Sequence, residues 1–392
     1  MASLFEIGKS GVQAYRQALS VTGQNIANVN TEGYNKRSAD LEEVPSVQGG
    51  VTNVPDQSGL GVRVNKIRRS FDAFLSSNLR DTNGEYERLD GFVNKLNKLE
   101  NMLLPSDSDL GTFIGRFFNS LQDVASRPDE LSARTVALEN GKALANSFNN
   151  YDNELKSSKV SAHKEVEDDL RVVNSLVDQL AQVNKLIMSG GSKNSPPDIL
   201  DARDQLLLDL SKYINFTVDY GDSNDAIIRL GNSGNGKVLL EKTNKAILLS
   251  DIQEGRLIFK TSRNGINSTN SDISSGLIFG LKNFYDFVGE IEGEINQLAF
   301  RLSQDFNEVQ KNGIDLNGRT GMPMFSINSM KPKIQQNVGG YDVDMIVGNE
   351  NLINQEKMKF KYLAASNSWE VSSSEGIKIY GNNNLNFQGF SL

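Results

Sequence analysis

The sequence predicts a mainly α protein with β, and three observations predict it. Apolar residues recur at three- and four-residue steps through most of 4–30, 71–126, 129–213 and 276–311, the period of helices with one buried face. Between 214 and 262 that period gives way to short β-branched and aromatic runs separated by Gly, Asn, Ser and Asp. From 313 onward the chain is turn-rich and then β-like. The expected architecture is an N-terminal amphipathic helix, a long antiparallel coiled-coil-like helical rod domain, a small β insertion and an outer β-rich domain.

Each element has its own reason. In 4–30, Leu4, Ile7, Val12, Tyr15, Leu19 and Ile26 form one apolar stripe among small residues, and Asn28, Asn30, Thr31 and Gly33 end the helix. Residues 35–70, with Pro45, Gly49-Gly50 and Pro55, read as an extended, loop-rich segment, with a strand at Val62, Val64 and Ile67. A near-heptad track then runs through Leu75, Leu79, Tyr86, Leu89, Val93, Leu96, Leu99 and Leu103, until Pro105 stops it. A shorter helix covers 109–126. The next spans about Asp129 to Met188: about 58 residues at about 1.5 Å each, or about 87 Å. Its second half carries Val166, Leu170, Val173, Val177, Leu180, Asn184 and Ile187 in alternating steps, the a/d seam of a coiled coil. Pro196-Pro197 opens a helix to about 213. Five short strands follow, then the helix 276–311, then strand-like runs near 341–347, 358–363, 369–371 and 377–380.

Composition removes whole classes of chemistry. The chain has 392 residues, no cysteine, one histidine and a formal net charge of −8. Disulfides, thiolate metal sites and thiol nucleophiles are excluded, and the acidic balance argues against nucleic acid as a partner. No run of about 18 apolar residues suggests a membrane span. Glu6, Lys9 and Arg16 interrupt any apolar core of a cleaved signal peptide. The 43 asparagines read as compositional drift or as turn formers.

Candidate chemical sites are weak. His163 lies among charged residues of a long helix and reads as a solvated surface residue. Glu165, Glu167, Asp168 and Asp169 fan around the helix axis and do not converge on a cation. Asp198, Asp201, Asp204 and Asp209, interleaved with Arg203, read as surface ion pairing. Asp315-Leu316-Asn317-Gly318 starts like a calcium loop, but its fifth and twelfth positions are Arg319 and Ser326, so it reads as a turn. Gly231 to Gly236 lies between strands and lacks a phosphate loop's ending, so it reads as a hairpin loop. No catalytic residue, cofactor site or metal site is assigned, and the chain is read as no enzyme.

The sharpest motif runs from Ala18 to Arg37 and contains Asn25-Ile26-Ala27-Asn28-Val29-Asn30-Thr31-Glu32-Gly33-Tyr34-Asn35-Lys36-Arg37. It resembles the N-terminal signature of the flagellar axial family of rod, hook and hook-associated proteins. Leu200-Asp201-Ala202-Arg203-Asp204-Gln205-Leu206, Ser275-Gly276-Leu277 and Gly313 to Gly318 followed by Met324-Phe325 are similar to the hook-associated members that join hook to filament. The resemblance implies a structural subunit, extracellular in the flagellum at the hook–filament junction and exported unfolded by the flagellar type III apparatus. Its implied partners are copies of itself in a ring at the hook tip, the hook protein, a second junction protein (hook-associated protein 3) and an export chaperone. Leu4, Ile7, Val12, Leu19, Asn25, Ile26, Asn28, Thr31, Gly33, Tyr34 and Arg37 become the candidate assembly residues.

In the family the N-terminal helix pairs with a C-terminal helix, whereas this sequence stops inside the outer β region. That β domain is therefore expected to be truncated at the C-terminus, and the stripe through Leu4, Ile7, Val12 and Leu19 to lack an intrachain partner. The organisation expected is 1–70 N-terminal axial segment, 71–214 rod, 215–265 small β region, 270–312 rod continued and 315–392 outer β domain. Two alternatives stay open: a rod or hook subunit, and an axial scaffold whose outer β domain is adhesin-like or enzymatic.

Overall fold

The computed structural model describes residues 4–44, 61–103, 109–190, 195–253, 255–270, 272–315 and 318–326, and short segments between 346 and 391. The chain divides into two compact units, Met1–Asn296 and Gln297–Leu392.

The first unit opens with α1 (Leu4–Ala27) on a two-stranded antiparallel ribbon, β1 (Arg37–Glu43) and β2 (Val62–Arg69). Arg37 pairs with Arg69 and Glu43 with Val62, and a bulge falls between Asp40 and Leu41. The extended segment is thus a ribbon, although residues 45–60 lie outside the described residues. A single stripe was expected on α1, and the structure resolves two faces. The small-residue face, with Ala14 and Val21, is buried, while Leu4, Phe5, Val12, Tyr15, Leu19 and Ile26 face solvent. Ile7 is half-buried. Small side chains bring the helix axis close to the ribbon, and large ones would hold it off.

The rod follows: α2 (Ala73–Leu103), α3 (Leu110–Ser126), α4 (Leu131–Ser189) and α5 (Pro197–Ser211). Asp72 caps α2, its Oδ1 accepting from the backbone N–H of Phe74 at 2.9 Å and of Leu75 at 3.1 Å. Gly84 and Gly91 are buried on α2; a Cβ on Gly91 would lie 2.4 Å from Leu277 Cδ1. The small β region is two antiparallel sheets. One is ordered β3 (Phe216–Tyr220), β4 (Ala226–Leu230), β5 (Val238–Glu241), β6 (Asn244–Lys245); the other β7 (Ile247–Gln253), β8 (Arg256–Arg263), β9 (Ile266–Asn270). The α6 helix (Leu277–Asn312) comes next.

Two apolar clusters hold this unit together. In one, Leu99 of α2, Leu155 and Ala162 of α4, and Phe284 and Val288 of α6 meet. Ion pairs Lys95–Glu165 and Lys159–Glu292 flank it, and α4 runs antiparallel to both neighbours. In the other, the predicted seam Val166, Leu170, Val173, Val177 and Leu180 is buried, but mostly beneath β strands and α5. The 4-3 spacing reports a narrow buried stripe and does not say what covers it.

The asparagines prove structural in several places. Asn174 on α4 clamps Leu248 of β7 by accepting from its N–H at 2.9 Å and donating to its C=O at 3.0 Å. Asn184 clamps Ala226 of β4 in the same way and also donates to Lys242 O. These amides satisfy strand backbone that is buried against a helix.

In the second unit, Asn307 of α6 repeats the device. It accepts from the N–H groups of Met324 and Phe325 and donates to Phe325 O. Asp315 Oδ1 accepts from Arg319 N at 2.8 Å in a turn closed by Gly318 at φ +77°, in keeping with the turn reading. Two small antiparallel sheets follow. One is β11 (Lys359–Leu363), β12 (Ser368–Ser372), β13 (Lys378–Gly381). The other is ordered β10 (Ile346–Val347), β15 (Phe390–Ser391), β14 (Asn386–Phe387).

Candidate functional site: a polar joint between the axial signature and α5

The signature residues build a compact polar knot at the end of α1. Asn25 donates to Arg37 O at 2.8 Å, and its Oδ1 accepts from Arg37 N and from the Tyr34 hydroxyl, each at 2.9 Å. One side chain thus ties helix, turn and first strand. Asn28 O accepts from Thr31 N, and Asn28 Oδ1 from the Thr31 hydroxyl at 3.2 Å, closing the turn. Gly33 sits at φ +78°, where an L side chain is strained, and a Cβ there would lie 2.7 Å from Gln205 Oε1. The Arg37 guanidinium stacks 4.9 Å over the Tyr34 ring.

The knot faces α5. Asp201 accepts from Asn35 at 2.9 Å and from Arg37 Nη2 at 3.0 Å. Arg69, at the end of β2, lies with Nε 2.9 Å from Asp201 Oδ1, an ion-pair contact without hydrogen-bond alignment, and its Nη2 binds Asp204. The other oxygen of Asp204, Oδ1, accepts from both Nε and Nη2 of Arg203, at 2.9 and 2.8 Å. Arg203 is 2% exposed, donates to Asn224 O and lies 4.5 Å over the Tyr220 ring. Burial pushes the Tyr220 hydroxyl up from its usual range and holds Arg80, beside it, below its own.

This overturns one reading. Asp201 and Asp204 are not a solvated ladder. They are the receptor for two arginines of the first 70 residues, and Arg203 is buried between Asp204 and Tyr220. The partners lie 132 to 166 residues away in sequence, so no local pattern exposes them. Asp198 stays exposed, and Asp209 pairs with Lys212. Arg69, Asn35 and Asp201 are residues of the joint that spacing alone did not bring together. The available signals were the N-terminal signature, which contains Asn35, and Leu200 to Leu206 as a motif.

The other candidates disperse. His163 is not a solvated surface residue: its Nε2 is 3.4 Å from Ser250 Oγ, and its ring packs edge-on to Tyr285. Glu165 pairs with Lys95 and Asp168 with Arg171. Asp169 is left with a buried, unpartnered Oδ2, and burial with the neighbouring Glu165 pushes its carboxyl up to about 6. Gly231 to Gly236 forms the β4–β5 loop, where a Cβ on Gly236 would overlap Leu230 O. Among the described residues no group of three or more acidic or histidine side chains is placed to hold a metal, and no helix is long and apolar enough to cross a membrane.

Of the predicted assembly residues, Asn25, Asn28, Thr31, Gly33, Tyr34 and Arg37 come together in the knot, and Leu4, Val12, Leu19 and Ile26 stay exposed on the outer face of α1. Comparison with known proteins covers both regions. Residues 96–325 match the model of the flagellar hook-associated protein FlgK helical domain. The chain belongs to the FlgK family. Residues 5–35 also match the flagella basal body rod protein model, so the FlgK-type helical domain follows an N-terminal segment of the rod type. Flagellar hook-associated protein 1 of Escherichia coli K12 is 26% identical over 386 residues, covering 95% of this chain and 68% of that protein. Its counterpart in Bacillus subtilis 168 is 27% identical over 352 residues, covering 82% and 69%. The solved flagellar hook junction protein FlgK of Burkholderia pseudomallei shares the fold, with TM-score 0.67 and 18% identity over 80% of this chain and 59% of that one. Membership of the FlgK family places the chain in the bacterial flagellum.

Proposed function

We propose that this chain is a structural subunit that assembles at the hook tip, outside the cell, and joins hook to filament after export through the flagellar type III apparatus. Its partners on this reading are further copies of itself in a ring, the hook protein, hook-associated protein 3 and an export chaperone. It works by packing and carries out no catalysis.

The observation that carries the reading is the joint. The axial signature is locked to α5 by directional charged contacts, while the large apolar side chains of α1 are left facing outward. A helix held in a defined orientation with its apolar face bare is suited to bury that face against other subunits, and symmetry repeats the contact around a ring. The absence of cysteine fits passage as an unfolded chain.

The test is genetic. Gly33→Val or deletion of residues 2–30, introduced at the chromosomal locus, is expected to abolish filament attachment and swimming, scored by electron microscopy of hooks and by swim radius. Normal filaments and normal swimming would overturn the reading.

A further inference from the structure

Ser275-Gly276-Leu277, a motif in the sequence, lies where the chain returns from the β region into α6. Leu277 N donates to Lys212 O at 2.8 Å, just past the end of α5, and its side chain fills the place a side chain on Gly91 would take. Gly276 sits at φ +87° and donates to Gly84 O at 3.0 Å; a Cβ on it would lie 2.3 Å from Tyr213 O. Ser275 is 3% exposed, and its N–H donates to Asn215 Oδ1 at 3.2 Å. Its hydroxyl has no hydrogen-bond partner. A buried hydroxyl left unpaired is costly, so this one calls for a ligand.

A second oxygen at this corner is equally bare. The last carbonyls of a helix need donors from outside its own ladder. On α5, Leu208 O accepts from the Ser211 hydroxyl at 2.7 Å, Asp209 O from Lys212 N at 3.3 Å, and Leu210 O from Tyr213 N at 3.1 Å and Ile214 N at 3.2 Å. Ser211 O receives no hydrogen bond among the described residues, and Ser211 is 2% exposed. Both oxygens face Gly84 of α2: a Cβ there would lie 3.1 Å from Ser211 O and 3.3 Å from Ser275 Oγ. A cavity of about 40 Å³ opens at this point, with Gly84, Ser211 and Ser275 as buried walls. One water needs about 10–15 Å³ and two to four polar partners, so the space and the partners suffice. The charged groups of the cavity wall cancel: Asp81 stands beside Arg80, and Glu85 pairs with Arg88.

We infer that this corner is a binding site for an ordered water molecule that bridges Ser275 Oγ and Ser211 O. The water donates one hydrogen to the carbonyl, which can only accept, and shares a second hydrogen bond with the Ser275 hydroxyl, which can take either role. An anion brings no hydrogen to Ser211 O, and the balanced charges of the wall select no ion of either sign. Gly84 is glycine here because a methyl would take up the space between the two oxygens. The water ties α2, the end of α5 and the entry to α6 together at the base of the β region. This site goes beyond the assembly reading and stands whether or not that reading holds.

Magnetic relaxation dispersion of the water signal counts long-lived bound waters in the full chain. Gly84→Ala puts a methyl into the space and should lower the count by about one, with circular dichroism unchanged. Ser275→Ala keeps the space and removes one partner, and should shorten the residence time of one water by about tenfold. Gly293→Ala, on α6 where a Cβ meets nothing within 4 Å, should leave the dispersion unchanged. An unchanged dispersion in Ser275→Ala, or in a folded Gly84→Ala, would overturn the inference, and so would an equal change in Gly293→Ala. Thermal stabilisation by potassium chloride over choline chloride that Ser275→Ala erases would overturn it as well, because it marks a monovalent cation as the occupant.

Discussion

The β region and the N-terminal segment are attached to the rod by opposite means. The β strands meet α4 and α5 through a continuous apolar cluster from Val166 to Tyr285, all of it deeply buried. The α1–ribbon module meets α5 through Asn35, Arg37 and Arg69 on Asp201 and Asp204, and neither apolar cluster takes a residue from 1–70 among the described residues. Apolar burial is strong and tolerant of small shifts. Charged, nearly buried hydrogen bonds are demanding in geometry and fail sharply when one partner is lost. The difference teaches that the β region is built to stay, and the axial module is built to be aimed.

The strongest way to break this contrast is Asp204→Ala. It leaves the nearly buried Arg203 without its carboxylate and Arg69 with only its poorly aligned contact to Asp201, and should cost about 3–5 kcal/mol by urea denaturation. Leu180→Ala, in the seam under the β strands, should cost about 2–5 kcal/mol, but as a cooperative loss of the whole unit. Scanning calorimetry separates the two: a lower main transition for Leu180→Ala, and for Asp204→Ala an added early step as well. Asn25→Ala removes the clamp on Arg37 and Tyr34 and should cost about 1–3 kcal/mol, read as faster proteolysis within 1–70.

A pH experiment sharpens the rod side. Asp169 has its carboxyl raised to about 6, first by burial and then by Glu165. The folded state therefore holds a proton there that the unfolded chain releases between about pH 4 and 6. This group's contribution is most favourable below pH 4 and is lost as pH rises through 6. Asp169→Asn should raise stability at pH 7.5 by about 1 kcal/mol, once solvent screening of this partly exposed group is allowed for, and flatten the profile between pH 4 and 6. The smallest effect belongs to the outer face of α1. Leu19 is 70% exposed, so Leu19→Ser should leave stability within about 0.5 kcal/mol while impairing filament attachment in the cell.

Much of the fold was legible because helical spacing is local. The run 131–189, the helix 277–312 and strands such as 216–220 and 226–230 follow from periodicity and turn residues. The ribbon was harder. Arg37 to Glu43 is too polar to read as a strand and is held by pairing with β2 and by Asn25. The seam 166–187 was legible as buried, but not as covered by β strands, because periodicity describes one surface only. Signature residues such as Asn25 and Tyr34 were visible as a motif. Their receptor was not, because Asp201 and Asp204 alternate with exposed positions just as a surface ladder would. On α2, where Gly84 and Gly91 are buried while Leu75, Leu79, Tyr86, Leu89 and Val93 are exposed, the inward side was unreadable for a related reason: a helix carrying small residues on one side and large apolar ones on the other does not say which side turns inward.

The central claim, that the axial module is held in place by a polar joint centred on Asp201, is tested most directly by hydrogen exchange with mass spectrometry on the wild-type chain and Asp201→Ala. All the side chains that Asp201 engages in the joint, Asn35, Arg37 and Arg69, come from the N-terminal segment. The predicted result is exchange about 100-fold faster or more in peptides covering 14–43 and 62–69, with peptides covering 166–180 and 246–263 unchanged. Unchanged exchange in 14–69, or a uniform increase across the whole unit, would contradict the account.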